Sequence, residues 1–526
     1  MALHKMAPVD AAWFHMDGPA NFALVTGILL TREPLDFEKV RALYRERLAP
    51  FARFRQRVVE AGFPLAAPHW EDVPEFDVGL QIHHIALPEP RDRAALAALV
   101  SDLAGTPLDR ARPLWEVHVV DDVDGGSALV MRFHHCIGDG TAMMAVCQEL
   151  YDATPSGASR WRPPADERDA RSAPEAEPDD EADAGGSWFA PALSIVGGTA
   201  RAALAAVDAT LDALRRPQHT LDRAQLVLDG AGMLLDELLK PSDPRSPLKG
   251  DFGMPKRVAW SEPVAIADVK AIGTPSGAKI NDVLVAGMTG ALRAYLAGRG
   301  IDVGRTTVRA MVPVDLRPPG RGYELGNEFG LVVLDLAVQN RLALSRLKQT
   351  QQRMDALKRS AEPVAIMALF NLFGRVPKAV EDVAVDLFGS KASVVMTNVA
   401  GPGETLYLAG VPIDRMMFWV PHPGRQLGMG ISIMSYRGYA TLGVVADARL
   451  VPDPEAITEG FRREFERMAR AVERQRLREA EATVTRKPPP ARKSPAARKA
   501  RAGGKPAAGG RRPGAAPRGR RPAARG

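Results

Sequence analysis

Cysteine is scarce: among 526 residues only Cys136 and Cys147 carry a thiol. Two cysteines cannot build a disulfide framework. Their spacing is not C-x-x-C and no H-x-x-x-H follows, so the common zinc patterns are missing and no metal site is expected, in keeping with a reducing compartment. Long apolar runs are also lacking. No stretch approaches the roughly eighteen uncharged apolar residues of a membrane-spanning helix. The first ten residues lack the apolar core of a signal peptide, so a cytoplasmic chain without a transmembrane helix is expected.

Acid is absent from the C-terminal stretch: residues 486–526 hold fourteen Lys and Arg and no Asp or Glu. The formal charge of +6 is therefore a property of the tail, because the other 55 basic residues face 63 acidic ones, leaving a body at −8. Nothing in that balance points the folded part at nucleic acid. The tail itself, rich in Pro, Ala, Gly, Lys and Arg, has no buried periodicity and is expected to be disordered. Its cations suit DNA, anionic lipid or another polyanion.

The chain is long enough, with 46% hydrophobic residues, for two domains plus extras. Composition divides it into a first lobe over 1–154, an acidic disordered linker over 155–186, bridging helices over 187–250, a second lobe over 251–482 and the tail over 483–526. In the first lobe a short helix precedes a strand over 22–30, and Trp13 and Phe14 read as core. Residues 53–57 alternate as a strand with Arg53, Arg55 and Arg57 on one face. In the second lobe strands are expected over 258–260, 309–314, 331–336, 394–397, 428–434 and 440–446, the last two joined by a hairpin through Arg437-Gly438. Helices are expected from Val264, from Asn281-Asp282, over 342–357 and from Pro454 to about Glu481. The apolar segment 364–373 is too short to cross a bilayer and has the character to lie in its surface. Helices mixed with non-consecutive strands in both halves indicate an α+β fold.

The most chemically pointed stretch is His134-His135-Cys136-Ile137-Gly138-Asp139-Gly140. A strand over 127–133 leads into it, with Leu129, Met131 and Phe133 on one face. A helix follows, with Asp139 or Thr141 as its N-cap. A histidine presented at such a junction can act as general base, taking the proton from an attacking hydroxyl or thiol; His135 is the residue expected to do so. Asp139 is expected to be buried and paired with an arginine, with Arg53, Arg55, Arg57 and Arg317 as candidates, and Gly140 helps shape the turn. The other pair, His83-His84, has no Asp-Gly after it and reads as structural.

The pattern H-H-x-x-x-D-G resembles the active-site signature of the CoA-dependent acyltransferase superfamily. Pro113-Leu114-Trp115, Asn281-Asp282, the stretch Val312 to Pro318, Gly326-Asn327 with Phe329-Gly330, and Thr397 to Pro402 are similar, in that order, to elements of the bacterial wax ester synthase/diacylglycerol acyltransferases. The resemblance spans about residues 8–470. It implies two chloramphenicol-acetyltransferase-like lobes and transfer of an acyl group from acyl-CoA, a co-substrate rather than a bound cofactor, to diacylglycerol or a long-chain alcohol. His135, His134, Asp139 and Gly140 would form the catalytic motif. Trp115 reads as a core residue that also walls the site, and Asn281 and Asp282 as helix caps, site residues or both. Cys136 occupies a spacer position, so no thiol nucleophile is implied. Peripheral contact with the inner face of the plasma membrane or with lipid inclusions is expected from such substrates. Two other functions compete: acyl transfer from a carrier protein, disfavoured by the P-L-W and N-D elements, and an inactive lipid-inclusion coat tethering nucleic acid, disfavoured by the intact motif.

Overall fold

The computed structural model describes residues 3–485 except 19, 49, 61–66, 159, 161–242, 244–245, 254, 318–324, 359–365, 368–369, 372–384, 387–388 and 423–426. The expected bridging helices, nearly all of the acidic linker and the basic tail thus lie outside the described residues. So does most of segment 364–373.

The first half runs β1 (Leu3–Lys5), α1 (Pro8–His15), β2 (Leu24–Thr31), α2 (Phe37–Leu48), β3 (Gln56–Val59), β4 (His69–Asp72), β5 (Ile82–Ala86), α3 (Arg93–Ala104), β6 (Trp115–Val123), β7 (Gly126–His134) and α4 (Gly140–Leu150). The second runs β8 (Lys256–Trp260), β9 (Val264–Ala265), α5 (Ile266–Gly273), α6 (Ile280–Gly298), β10 (Val308–Asp315), β11 (Phe329–Leu336), α7 (Ala343–Leu357), β12 (Val394–Ala400), β13 (Tyr407–Leu408), β14 (Val411–Trp419), β15 (Met429–Tyr436), β16 (Tyr439–Asp447) and α8 (Glu455–Thr485). One large mixed sheet has the order β13-β14-β2-β7-β6-β5 and the other β11-β10-β12-β15-β16-β8, with β9 on the edge of β16, and β1-β4-β3 form a small third sheet. Of two buried apolar clusters, one surrounds the first-half sheet and takes in residues of the facing second sheet such as Met311, Phe329 and Val395, and the other belongs wholly to the second half, which gives the α+β architecture two lobes.

Local chemistry explains the hairpins. Asp124 and Gly125 join β6 to β7, and Arg437 and Gly438 join β15 to β16; all four have positive φ. Two consecutive left-handed residues make the turn whose twist matches the strands it joins. In α6, Leu284, Met288 and Leu292 are fully buried and Tyr295 nearly so, the stripe expected from the 3.6-residue period.

Three expectations change. Strand β14, where no element is expected from sequence, pairs with β2 and thereby joins the first-half sheet although it belongs to the second half of the chain. A bulge between Ile413 and Arg415 interrupts its alternation, and the added residue, Asp414, breaks the period that sequence reading depends on. The division at 154 and 251 is crossed by this strand. Residues 53–57 are not one strand: Ala52–Phe54 form a 3-10 turn and pairing starts at Gln56, because the Phe54 ring packs edge-on to Trp115 and its carbonyl accepts the Trp115 indole N–H. Finally, Val264 and Ala265 first pair with β16, so the following helix begins at Ile266.

Candidate active site

The turn after β7 is built so that two adjacent histidines diverge. His134 closes the strand and donates its backbone N–H to Leu114 O at 2.9 Å; His135 leaves it and donates to Ala23 O at 2.8 Å. The His134 ring is buried. Its Nδ1 accepts the Cys136 N–H at 3.1 Å, and its Nε2 sits 3.2 Å from Asp17 Oδ1. Burial pushes the Asp17 carboxyl up, but contact with His134, the Ala23 N–H at 2.7 Å and Arg110 more than offset this and hold it below the ordinary value. His134 thus braces the turn from inside the core. Gly138 lets α4 close on that turn, since a Cβ there would stand 2.9 Å from Ala142 Cβ.

His135 faces a cavity, and its tautomer follows from its neighbours. The Asn327 side-chain NH2 donates to Asp10 Oδ1 at 2.9 Å and to His135 O at 2.8 Å. Both partners only accept, so the amide cannot be turned over. Asn327 Oδ1 therefore faces His135 Nδ1, at 2.9 Å, and must accept a proton from it. The Nε2 lone pair is left toward the cavity. Trp13 stacks on the imidazole at 4.1 Å and 14°. Burial lowers the His135 pKa to about 4, against the raising effects of Asp139 and the Asn327 hydrogen bond, so the ring is neutral at pH 7. Behind Asn327, Asp10 is buried and its pKa is raised to about 6, burial outweighing the opposing pull of Arg53 and Asn327. It is mostly ionised at neutral pH.

Asp139 does not touch the His135 ring. Its Oδ1 accepts the Ala142 N–H at 3.0 Å, capping α4, and also takes Arg317 Nη1 at 2.8 Å. Its Oδ2 accepts the Glu328 N–H at 3.0 Å, while Arg317 Nη2 reaches Gly326 O at 2.8 Å. Gly326 has φ of +123°, a region open mainly to glycine. Of the four arginines considered from sequence, Arg317 is the partner. Arg53 instead pairs with Asp10 at 3.5 Å and Arg57 with Glu71 at 2.7 Å.

The remaining expected residues divide. Trp115 is fully buried and its indole donates to Phe54 O at 3.0 Å, and it also lines the cavity. Asp282 caps α6: its Oδ2 accepts the N–H of Lys279, the N-cap residue itself, at 3.0 Å. It does not line the cavity. Asn281 accepts from the side chain of Asn398, which does line it. Gly140 starts α4 at the cavity edge. Trp13, read as core, also stacks on His135 and lines the cavity; Asp10 and Trp13 lie three apart on α1 and so share the face that meets Asn327 and His135. That spacing was the available signal.

The cavity holds about 740 Å³ and lies between the two sheets. Met131, Phe133, Met143, Met144, Met416 and Phe418 make much of its wall apolar, and Thr397, Asn398 and Ser435 line the side of the second sheet. Cys147 borders it, but burial pushes this thiol up to about 12, and burial also raises Cys136 well above its ordinary value. Neither is a thiolate at neutral pH. Among the described residues no group of His, Cys, Asp and Glu is arranged to hold a metal ion.

Comparison with known proteins gives this geometry its context. Residues 6–284 match the wax ester synthase/diacylglycerol acyltransferase catalytic domain, and residues 325–469 match the C-terminal domain of the same enzymes. A probable diacylglycerol O-acyltransferase of Mycobacterium tuberculosis is 27% identical over 485 residues, covering 90% of this chain and 98% of that protein. The fold is similar to that of the wax ester synthase/diacylglycerol acyltransferase from Marinobacter aquaeolei, with a TM-score of 0.60 at 20% identity over 88% of this chain and 98% of the other. It is also similar to the first condensation domain of the calcium-dependent antibiotic synthetase, with a TM-score of 0.53 at 16% identity over 89% and 96%.

Two outcomes test this arrangement. Asp139→Ala takes from the buried Arg317 its closer carboxylate, leaving it the more distant Asp315 at 3.6 Å, and removes the α4 cap, so the variant should lose about 3–5 kcal/mol of stability, read as a lowered thermal midpoint; an unchanged midpoint refutes this role for Asp139. Nitrogen NMR of histidine-labelled protein should show His135 as the Nδ1–H tautomer at pH 7, protonating only near pH 4. Because the folded pKa lies below the unfolded value of about 6.5, the unfolded chain binds more protons between these limits. This group therefore subtracts stability as pH falls from about 6.5 to 4, and adds no further loss below. A ring titrating near 6.5 contradicts the burial.

Proposed function

The chain belongs to the wax ester synthase/diacylglycerol acyltransferase family, and from that premise we propose that it esterifies diacylglycerol or a long-chain alcohol with an acyl group taken from acyl-CoA. The observation that carries this reading is a neutral imidazole with Nδ1 tied to Asn327 and Nε2 toward an apolar cavity. His135 Nε2 takes the proton of the acceptor hydroxyl as the oxygen bonds to the thioester carbonyl carbon. The carbon–sulfur bond then breaks, and the proton on Nε2 passes to the leaving sulfur, so the imidazole ends as it began. No covalent enzyme intermediate is needed, in keeping with two protonated thiols. In this reading His134, Asp139 and Gly140 keep the base in place, Asp139 through Arg317. Trp115 walls the cavity and Asn281 positions Asn398, whereas Asp282 supports the helix. The apolar wall favours lipid substrates over the aminoacyl groups of a condensation-type reaction.

We further propose that the protein collects its acceptor from a membrane or lipid-inclusion surface at the cytoplasmic side without spanning it. No described helix is long and apolar enough to cross a bilayer. Within segment 364–373, Ile366 and Phe370 are buried, and Phe370 stacks near Trp13; these two are core residues rather than lipid contacts. The contrast between a body at −8 and fourteen cations from Arg486 onward supports attachment through the tail, each cation contributing up to about 1 kcal/mol beside an anionic surface.

Purified protein given palmitoyl-CoA with hexadecanol or diacylglycerol should form ester, and His135→Ala should lower turnover by roughly two to four orders of magnitude with the fold intact. A variant keeping more than about a tenth of wild-type turnover is incompatible with a lost general base. His134→Ala should act mainly through thermal stability.

A chain ending at Thr485 should keep its activity on detergent-dispersed substrate and lose salt-sensitive binding to anionic vesicles and to DNA, since exposed charge attraction is screened by salt. Loss of turnover in detergent would instead make the tail part of the catalytic unit.

A further inference from the structure

The first-half sheet floors part of the cavity, and its pairing register shows how that floor is laid. Residues directly opposite each other in an antiparallel ladder share one face. Trp115, Phe133 and Val25 form a row at the His135 end; Val117, Met131, Gly27 and Phe418 form the next; Leu29 and Met416 belong to a third. All of these line the cavity. Successive rows are about 7 Å apart, and from His134 to the level of Leu129 the strand covers roughly 17 Å, the length of an extended long-chain acyl group. Helix α4 covers this floor with Met143, Met144 and Cys147, and α2 closes it with Tyr44.

The middle row contains one residue without a side chain. Beside it, Met131 is held in place, its sulfur accepting from Tyr44 Oη at 3.4 Å and from Tyr151 Oη at 3.7 Å. A Cβ at Gly27 would stand 3.6 Å from Met131 Cε and 3.7 Å from Met417 O, ordinary contact, so alanine would fit. Anything larger has its neighbours already in contact and can grow only into the cavity. A glycine inside a strand weakens it and often marks where a ligand approaches the backbone.

Resting on the esterification reading, we propose that this slot takes the long alkyl chain of a substrate, head at His135 and tail toward Leu29 and Met416, and that Gly27 leaves the gap through which the chain passes Met131. Gly27 is then a specificity-determining residue for chain length. The chain belongs either to the acyl thioester or to the acceptor, and the two arms of the test separate them.

Gly27→Ala, Gly27→Val and Gly27→Leu would be assayed with acyl-CoAs of graded length at fixed hexadecanol, and with alcohols of graded length at fixed palmitoyl-CoA. The ratio of long-chain to short-chain turnover should fall in step with side-chain size, by at least about tenfold for leucine, since burying two methylene groups is worth about that factor. A shift confined to the first arm assigns the slot to the acyl chain, and one confined to the second assigns it to the acceptor. Length profiles unchanged in both arms by valine, the variant least at risk of misfolding among those that protrude, overturn the proposal. Binding of palmitate against octanoate, followed by tryptophan fluorescence, gives a readout independent of turnover. If the wild type makes no ester while the variants still lose palmitate selectively, the esterification reading fails and the slot stands. If palmitate binding is indifferent to residue 27, the slot fails whatever the chemistry.

Discussion

The hydrogen bond between His135 Nδ1 and Asn327 Oδ1 is the contact on which the site depends. An imidazole moved out of water loses solvent partners on both nitrogens, and burial alone lowers its affinity for a proton. If neither nitrogen were held, the ring could flip or exchange tautomers and its lone pair would have no fixed direction. Asn327 removes that freedom because its own amide is fixed by two acceptors, the Asp10 carboxylate and the His135 carbonyl. The stacked indole of Trp13 fixes the plane of the ring. The imidazole is therefore oriented by residues 192 and 317 positions apart in the chain from their partners, which makes its orientation a property of the closed structure.

The same contacts hold the two halves together. The loop between β10 and β11 supplies Arg317, Gly326, Asn327 and Glu328, all of which meet the motif turn or α1. Asp139 is central to this junction: one carboxylate caps α4, satisfies a backbone N–H from the opposite lobe and neutralises a buried guanidinium. A buried ion pair is tolerated when the remaining hydrogen-bonding capacity of both partners is satisfied, and here Arg317 finds a second acceptor in Gly326 O. Strand β14 adds a further tie by completing the sheet of the first half. Geometry at His135 is thus linked to the fit between lobes.

Where alternation or helical period ran clean, the elements were legible. Strand β7, the β15–β16 hairpin, α6 and α8 lie close to their expected positions, because each has a side fully committed to the core. Strand β14 was not legible, since its bulge puts Asp414 and Arg415 out of phase. Arg53 illustrates a different difficulty. Its charge was evident, but its side chain lies over Trp70 at 4.2 Å and pairs with Asp10, a choice decided by the 3-10 turn in which it lies. Trp13 was read as core, which is right for its burial and incomplete for its place against His135.

The sequence alone determined that a histidine pair followed by Asp-Gly sits at a strand-to-helix junction, that the acid there needs a cation, and that several motifs spread over both halves point to one family. Such features follow from periodicity, turn chemistry and short-range spacing, which act within a few residues. Only the tertiary structure decided that Arg317 answers Asp139, that Asn327 fixes the tautomer of His135, that Asp282 caps a helix while Asn281 reaches the cavity through Asn398, and that a glycine in β2 faces the cavity. Partners separated by more than a hundred residues are chosen by which elements pack side by side, and that choice is made by the burial of the whole core.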